Sequence, residues 1–92
     1  EPHVLNFGRA GQGPEIVAGL ALAIEPMITR GSARTKVLKD DWTVVSTDSS
    51  RGAHFEHSYV ICPDGKPFVL TAIDGGQSDL EHLGIEISSL LM

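Results

Sequence analysis

The stretch Leu20-Ala21-Leu22-Ala23-Ile24-Glu25-Pro26-Met27-Ile28 alternates with period two. Leu20, Leu22, Ile24 and Ile28 fall on one face, and Ala21, Ala23, Glu25 and Met27 on the other. Alanine and leucine also favour helix, but Pro26 lacks an N–H and would break a helix interior, so strand is the stronger reading. Glu25 then sits on a face of small residues, which leaves volume for an ion or ligand, while the leucine and isoleucine face packs on a core layer. A second glutamate, Glu56 in Ala53-His54-Phe55-Glu56-His57, interrupts another apparently buried strand. Burying a carboxylate without a cation or hydrogen bonds costs several kcal/mol, so two such glutamates suggest a metal site.

Other strands are legible around these. Val4-Leu5-Asn6-Phe7 is a short strand candidate, followed by Gly8-Arg9-Ala10-Gly11-Gln12-Gly13-Pro14, which is a loop and matches no phosphate-binding pattern. Thr29–Arg34, with Gly31 and Ser32, reads as a hairpin connection into Lys36-Val37-Leu38 and then Trp42-Thr43-Val44-Val45-Ser46. After the polar loop Asp48–Gly52, the run from His54 to Cys62 reads as one strand. It places His54, Glu56, Ser58, Val60 and Cys62 on one face and Phe55, His57, Tyr59 and Ile61 on the other. Pro63-Asp64-Gly65-Lys66 is a turn, with Phe68–Thr71 returning beside that strand. In the tail, Ser78 and Glu81 could cap a short helix ended by Gly84, or Ile85-Glu86-Ile87 could be an edge strand or a loose end. The expected class is α+β, rich in antiparallel β with little helix, in a single partial domain: 1–71 as the β-rich part and 72–92 as a tail.

Ninety-two residues allow one modest core. The chain opens on Glu1 without a basic and apolar leader, which reads as an excised or processed piece. No window approaches the roughly 20 apolar residues of a membrane span, so no membrane partner is expected. A net charge of −5 with thinly spread basic residues argues against a nucleic-acid-binding patch. Cys62 is alone, which excludes an intrachain disulfide and a cysteine zinc cluster; the cytoplasm is the default location.

A pair of divalent ions roughly 3.5 to 4 Å apart needs oxygen-rich ligands, often with a carboxylate shared between the metals. Glu25 and Glu56 can meet only if their strands are neighbours. Each singly could equally be a rim residue on a half-exposed sheet. The remaining candidates are His3, His54, His57, His82 and surface aspartates, with His57 on the face opposite His54 and better read as a packing or hydrogen-bonding residue. Neither a glycosidase carboxylate spacing nor a Gly-x-Ser-x-Gly elbow is present, and no catalytic acid, base or nucleophile is assigned. Cys62 has no evident activating base.

Ile24-Glu25-Pro26-Met27, Asp41-Trp42-Thr43-Val44-Val45 and Ser50-x-x-Ala53-His54-Phe55-Glu56-His57, in this order and spacing, closely resemble the C-terminal half of type I methionine aminopeptidases. Glu1-Pro2-His3-Val4-Leu5 resembles the stretch after that family's catalytic histidine motif, and the resemblance covers about residues 1 to 71. It implies one half of a pita-bread fold, with two divalent metal ions of unspecified identity (Co, Mn, Fe, Zn or Ni). Glu25 would be a metal ligand and Glu56 the carboxylate bridging both metals. The implied activity is removal of the N-terminal methionine from nascent proteins, with their N-terminal peptides as substrate and the ribosome as a candidate partner. Trp42 would lie by the substrate channel, or serve the sheet structurally.

The departures bear on activity. The family's two aspartate ligands, its histidine ligand, its catalytic histidines and most of its methionine pocket have no counterpart here, so this chain alone is expected to be inactive. His54 stands where glutamine is usual and shares the expected face of Glu56, from where it would orient a ligand carboxylate or add an imidazole. Asp41 stands where glycine is usual. Alternatives are a non-catalytic pita-bread interaction module and a prolidase-type peptidase, the latter disfavoured by Met27 and Trp42.

Overall fold

Leu22 and Ile24 are the half-buried positions and Ala21 and Ala23 the exposed ones in β1 (Ala21–Ile24), as the alternation requires. The computed structural model describes residues 3–92; Glu1 and Pro2 of the opening string lie outside the described residues. Six further strands follow: β2 (Met27–Thr29), β3 (Thr35–Val37), β4 (Val44–Ser46), β5 (Gly52–His54), β6 (His57–Ile61) and β7 (Pro67–Val69). One helix, α1 (Gln77–Glu81), comes last. Every strand pairing is antiparallel. The residues fall into two compact units, one comprising the chain up to Ile24 with His57–Met92, the other Glu25–Glu56.

The first unit holds the three-stranded sheet β1-β6-β7. Its β6–β7 hairpin is turned where expected: Cys62 N–H donates to the Lys66 carbonyl at 2.9 Å, Gly65 N–H to Cys62 at 2.8 Å, and Lys66 N–H to the Asp64 carboxylate at 3.1 Å. Cys62 and Val69 form its buried apolar core. The tail packs on this hairpin. Ser88, fully buried, donates its hydroxyl to Asp64 at 2.9 Å and its N–H to the Pro67 carbonyl at 2.9 Å, while Lys66 and Glu86 pair at 2.9 Å. Gly75 and Gly76 adopt positive φ and lie so close to β7 that an added Cβ would come within 2.4 Å of the Phe68 ring and 2.5 Å of Val69.

The helix starts one residue before Ser78, and no side chain of its N-cap, Gly76, closes it. Asp74 does that work, accepting from Gly76 N–H at 2.9 Å and Ser78 N–H at 3.0 Å, so the expected Ser78/Glu81 box is replaced by an aspartate four residues upstream. Gly84, at φ 71°, follows the helix as expected, and Ile85–Ile87 is not a strand. Val4–Phe7 is not a strand either: these residues are exposed and pair with no neighbour, and without a partner ladder a short apolar run has nothing to order it.

The second unit corrects the connectivity. Thr29–Arg34 is not a hairpin connection, since β2 pairs with β5 and β3 with β4. From Met27↔His54 to Val37↔Val44 the two arms advance in step, with no residue inserted on either, around a tip at Leu38–Thr43. At the tip Leu38 N–H donates to the Thr43 carbonyl, and the Asp40 carboxylate accepts from the N–H groups of Trp42 and Thr43. The Thr43 hydroxyl, then those N–H groups, hold the Asp40 pKa below its ordinary value. Asp41 sits at φ 56°, the left-handed region where glycine is at ease and aspartate is tolerated better than most residues.

Midway, around Gly31–Ser32 and Asp48–Ser50, the ladder opens and side chains take over. Asp48 accepts from Ser32 N–H at 2.7 Å and Ser50 N–H at 3.1 Å, Thr29 donates its hydroxyl to Ser32 at 2.7 Å, and Ser46 donates its own to Ser50 at 2.7 Å. Gly31 and Ser32 therefore look like a turn in sequence but are held by an aspartate of the facing arm. No described residue of Glu25–Glu56 is buried.

Candidate metal centre

The run His54–Cys62 is two strands, not one, and the cause lies on the other arm. Arg30 N–H donates to Arg51 at 2.9 Å, which makes the even-numbered residues of this arm the hydrogen-bonded ones; Pro26 is next in that series opposite Phe55. Phe55 N–H donates to the Pro26 carbonyl at 3.3 Å, but proline has no N–H to return. The ladder therefore lapses between β5 and β6.

The same register sets the two glutamates face to face. Counting outward from Met27↔His54 and past Pro26 and Phe55, Glu25 stands opposite Glu56. It does so at a non-hydrogen-bonded position, where antiparallel side chains come closest. Like charges directly opposite on a sheet are destabilising unless something neutralises them. His54, two residues along the same face from Glu56, is the diagonal neighbour of Glu25, and its Nε2 lies 3.6 Å from Glu25 Oε1. His54 shares the face of Glu56 as the sequence reading expects, and the carboxylate it comes nearest is that of Glu25, across the ladder. A hairpin centred on Asp40-Asp41 would have revealed both relations, because its register follows from the tip.

The expectation of buried carboxylates fails. Glu56 is exposed and the Glu25 side chain is 46% accessible. His57 belongs to the other unit, where its Nδ1 lies 2.7 Å from the Thr71 hydroxyl, which also accepts from Ser58 N–H at 3.1 Å. Its ring meets Tyr59 edge-on at 6.3 Å. That is the hydrogen-bonding and packing role expected of it. Trp42 lies outside β4, at the tip, and is 86% exposed. Below the tip, Met27, Ile28, Leu38, Val44 and His54 line an open concavity of about 710 Å³.

Two opposed carboxylates with an imidazole beside one of them suit a divalent cation by donor type. Among the described residues, however, no group of three or more His, Cys, Asp or Glu is arranged to hold a metal. No helix among them is long and apolar enough to cross a membrane.

No family model matches the chain. Individual proteins do. The chain is 52% identical over 73 residues to a methionine aminopeptidase of Clostridium perfringens, a match covering 79% of this chain and 29% of that protein. It is 49% identical over 71 residues to methionine aminopeptidase 1 of Mycobacterium tuberculosis, covering 77% and 26%. Over these residues the chain is similar to methionine aminopeptidases. The crystal structure of a methionine aminopeptidase from Thermotoga maritima superposes with a TM-score of 0.69 at 42% identity, over 77% of this chain and 28% of that one. The chain thus spans less than a third of the length of the methionine aminopeptidases it matches.

Proposed function

We propose that this chain is the C-terminal part of a methionine aminopeptidase, one partial domain of a pita-bread fold, supplying Glu25 and Glu56 to a centre of two divalent metal ions. The observation that carries this reading is the opposition of the two glutamates across a non-hydrogen-bonded position. Glu25 would hold one ion and Glu56 would bridge both, with the other ligands supplied from outside the chain. When bound, such ions lower the pKa of a water and polarise the scissile carbonyl.

The residues present do the holding and the shaping. The paired arms fix the spacing of the two carboxylates, and Pro26 opens the ladder at their side. Met27, Ile28 and Leu38 offer apolar surface, and Trp42 projects from a tip pinned by Asp40. The substrates would be N-terminal peptides of nascent proteins in the cytoplasm, with the ribosome as the place they are met.

The test is a chimera in which residues 3–71 replace the matched segment of the Thermotoga maritima enzyme. The chimera should release methionine from a Met-Ala peptide, Glu56→Ala should abolish release, and the isolated chain should release none with any divalent metal. An inactive chimera that folds, or robust release by the isolated chain, would overturn the proposal.

A further inference from the structure

We infer that two copies of this chain join edge to edge through β1, antiparallel about a two-fold axis at Leu22, independently of any metal at Glu25 and Glu56. The two edges of the sheet β1-β6-β7 differ in what they offer a further strand. On β7, Pro67 and Val69 turn their backbone groups away from β6, and the tail and turn beyond the strand occupy them. Ser88 N–H donates to the Pro67 carbonyl at 2.9 Å, Val69 N–H to the Gly75 carbonyl at 2.9 Å, and Ala72 N–H to the Val69 carbonyl at 3.2 Å. Proline has no N–H to offer, so that edge is closed.

The β1 edge is open. Ile61 N–H donates to the Leu20 carbonyl at 2.9 Å, so the even-numbered residues of this strand face β6, and Ala21 and Ala23 turn their N–H and carbonyl groups outward. Among the described residues no strand pairs with that side, both alanines are exposed, and so are the residues from His3 to Gly19 that lead into it. An edge strand with no charge or proline within it is a template for another strand.

The strand's own sequence selects a second copy as the occupant. Leu20-Ala21-Leu22-Ala23-Ile24 reads nearly the same in both directions, so an antiparallel copy matches it residue for residue. Ala21 meets Ala23 of the other copy and exchanges both ladder bonds with it, and Leu20 meets Ile24. Leu22 meets its own counterpart at a non-hydrogen-bonded position, where side chains come closest. Leu22 and Ile24 are half-buried on one face, so the pairing continues that apolar face across the axis. In this register Glu25 falls opposite Gly19, which keeps like charges apart. Because β7 is closed, both copies must use β1, and assembly stops at a dimer instead of growing head to tail.

Sedimentation velocity of the 92-residue chain over a range of concentrations should show a monomer–dimer equilibrium with no larger species. Amide exchange should slow with concentration at Ala21 and Ala23 but not at Leu22, which already faces β6. Ala21→Lys combined with Ala23→Lys sets like charges opposite each other and should weaken association about tenfold. Ala21→Lys combined with Ala23→Glu sets opposite charges together and should stay within about threefold of the unsubstituted chain. Both alanines are exposed, so the far-UV circular dichroism of each variant should match that of the unsubstituted chain. The inference is overturned by a monomer at every concentration, by species that grow beyond the dimer, or by association that the two double variants leave untouched or weaken equally.

Discussion

Gly76→Ala offers the sharpest test of how the first unit is held together. Gly76 is buried at φ 89°, and an added Cβ would stand 2.5 Å from Cγ2 and 3.1 Å from Cβ of Val69. Val69 is 4% exposed and is one of two buried apolar side chains in the molecule's described core, so it has little room to yield. Left-handed backbone at alanine costs about 1–2 kcal/mol, and overpacking about 1–3 kcal/mol. The loss of glycine's unfolded-state freedom offsets about 0.4–1 kcal/mol of this. The net destabilisation is about 2–4 kcal/mol, which for a chain of this size lowers Tm by roughly 10–20 °C. Circular dichroism melts of the substituted and unsubstituted chains measure it directly. A fall in Tm of less than about 3 °C, corresponding to well under 1 kcal/mol, would refute the reasoning that Gly76 is required by its approach to β7.

Other expectations can be checked with the same chain. Asp48 and Asp74 have pKa values lowered to about 2, Asp48 first by the Ser32 N–H and then by Ser50, Asp74 by the Ser78 hydroxyl and N–H and then by the Gly76 N–H. Because the folded values lie below the unfolded ones, their stabilisation is present above about pH 4 and is lost as pH falls toward 2; melts from pH 6 to 2 should show this drop. Asp48→Asn and Asp74→Asn should each flatten it. Asp41→Gly should raise stability by about 0.5–1 kcal/mol by relieving its positive φ, whereas Asp41→Val should lower it by about 1–2 kcal/mol, both read from urea unfolding. Ser88→Ala should cost about 1–2 kcal/mol, since it removes the hydroxyl that donates to Asp64 and accepts from Leu90 N–H at 3.2 Å, and amide exchange at Leu90 should rise.

Local chemistry was enough for some elements and not for others. The alternation of Leu20–Ile24 and the turn at Pro63–Lys66 could be read because each depends on residues adjacent in sequence. The knot of Gly31, Ser32 and Asp48 could not, because a carboxylate from the facing arm fills the bonds that Gly31-Ser32 would otherwise make as a turn. The break between β5 and β6 was hidden for the same reason: nothing in Phe55-Glu56 causes it, and Pro26 does. For the site, Glu25 and Glu56 stood out as charges in apolar runs and as parts of strings shared with methionine aminopeptidases. Their exposure was not legible, because a strand's pattern records the face it presents to a covering layer whether or not that layer is in the same chain. The tail's attachment through Ser88 was likewise invisible, since one buried serine carries no periodic signal.

The claim that Glu25 and Glu56 jointly hold metal is tested most directly by anomalous scattering. Crystals of the Thermotoga maritima chimera soaked in Zn²⁺ should show, at the zinc edge, density about 2.0–2.2 Å from carboxylate oxygens of both Glu25 and Glu56, with Glu56 touching two peaks. Well-occupied zinc peaks that touch neither glutamate, or only one of them, would contradict the account.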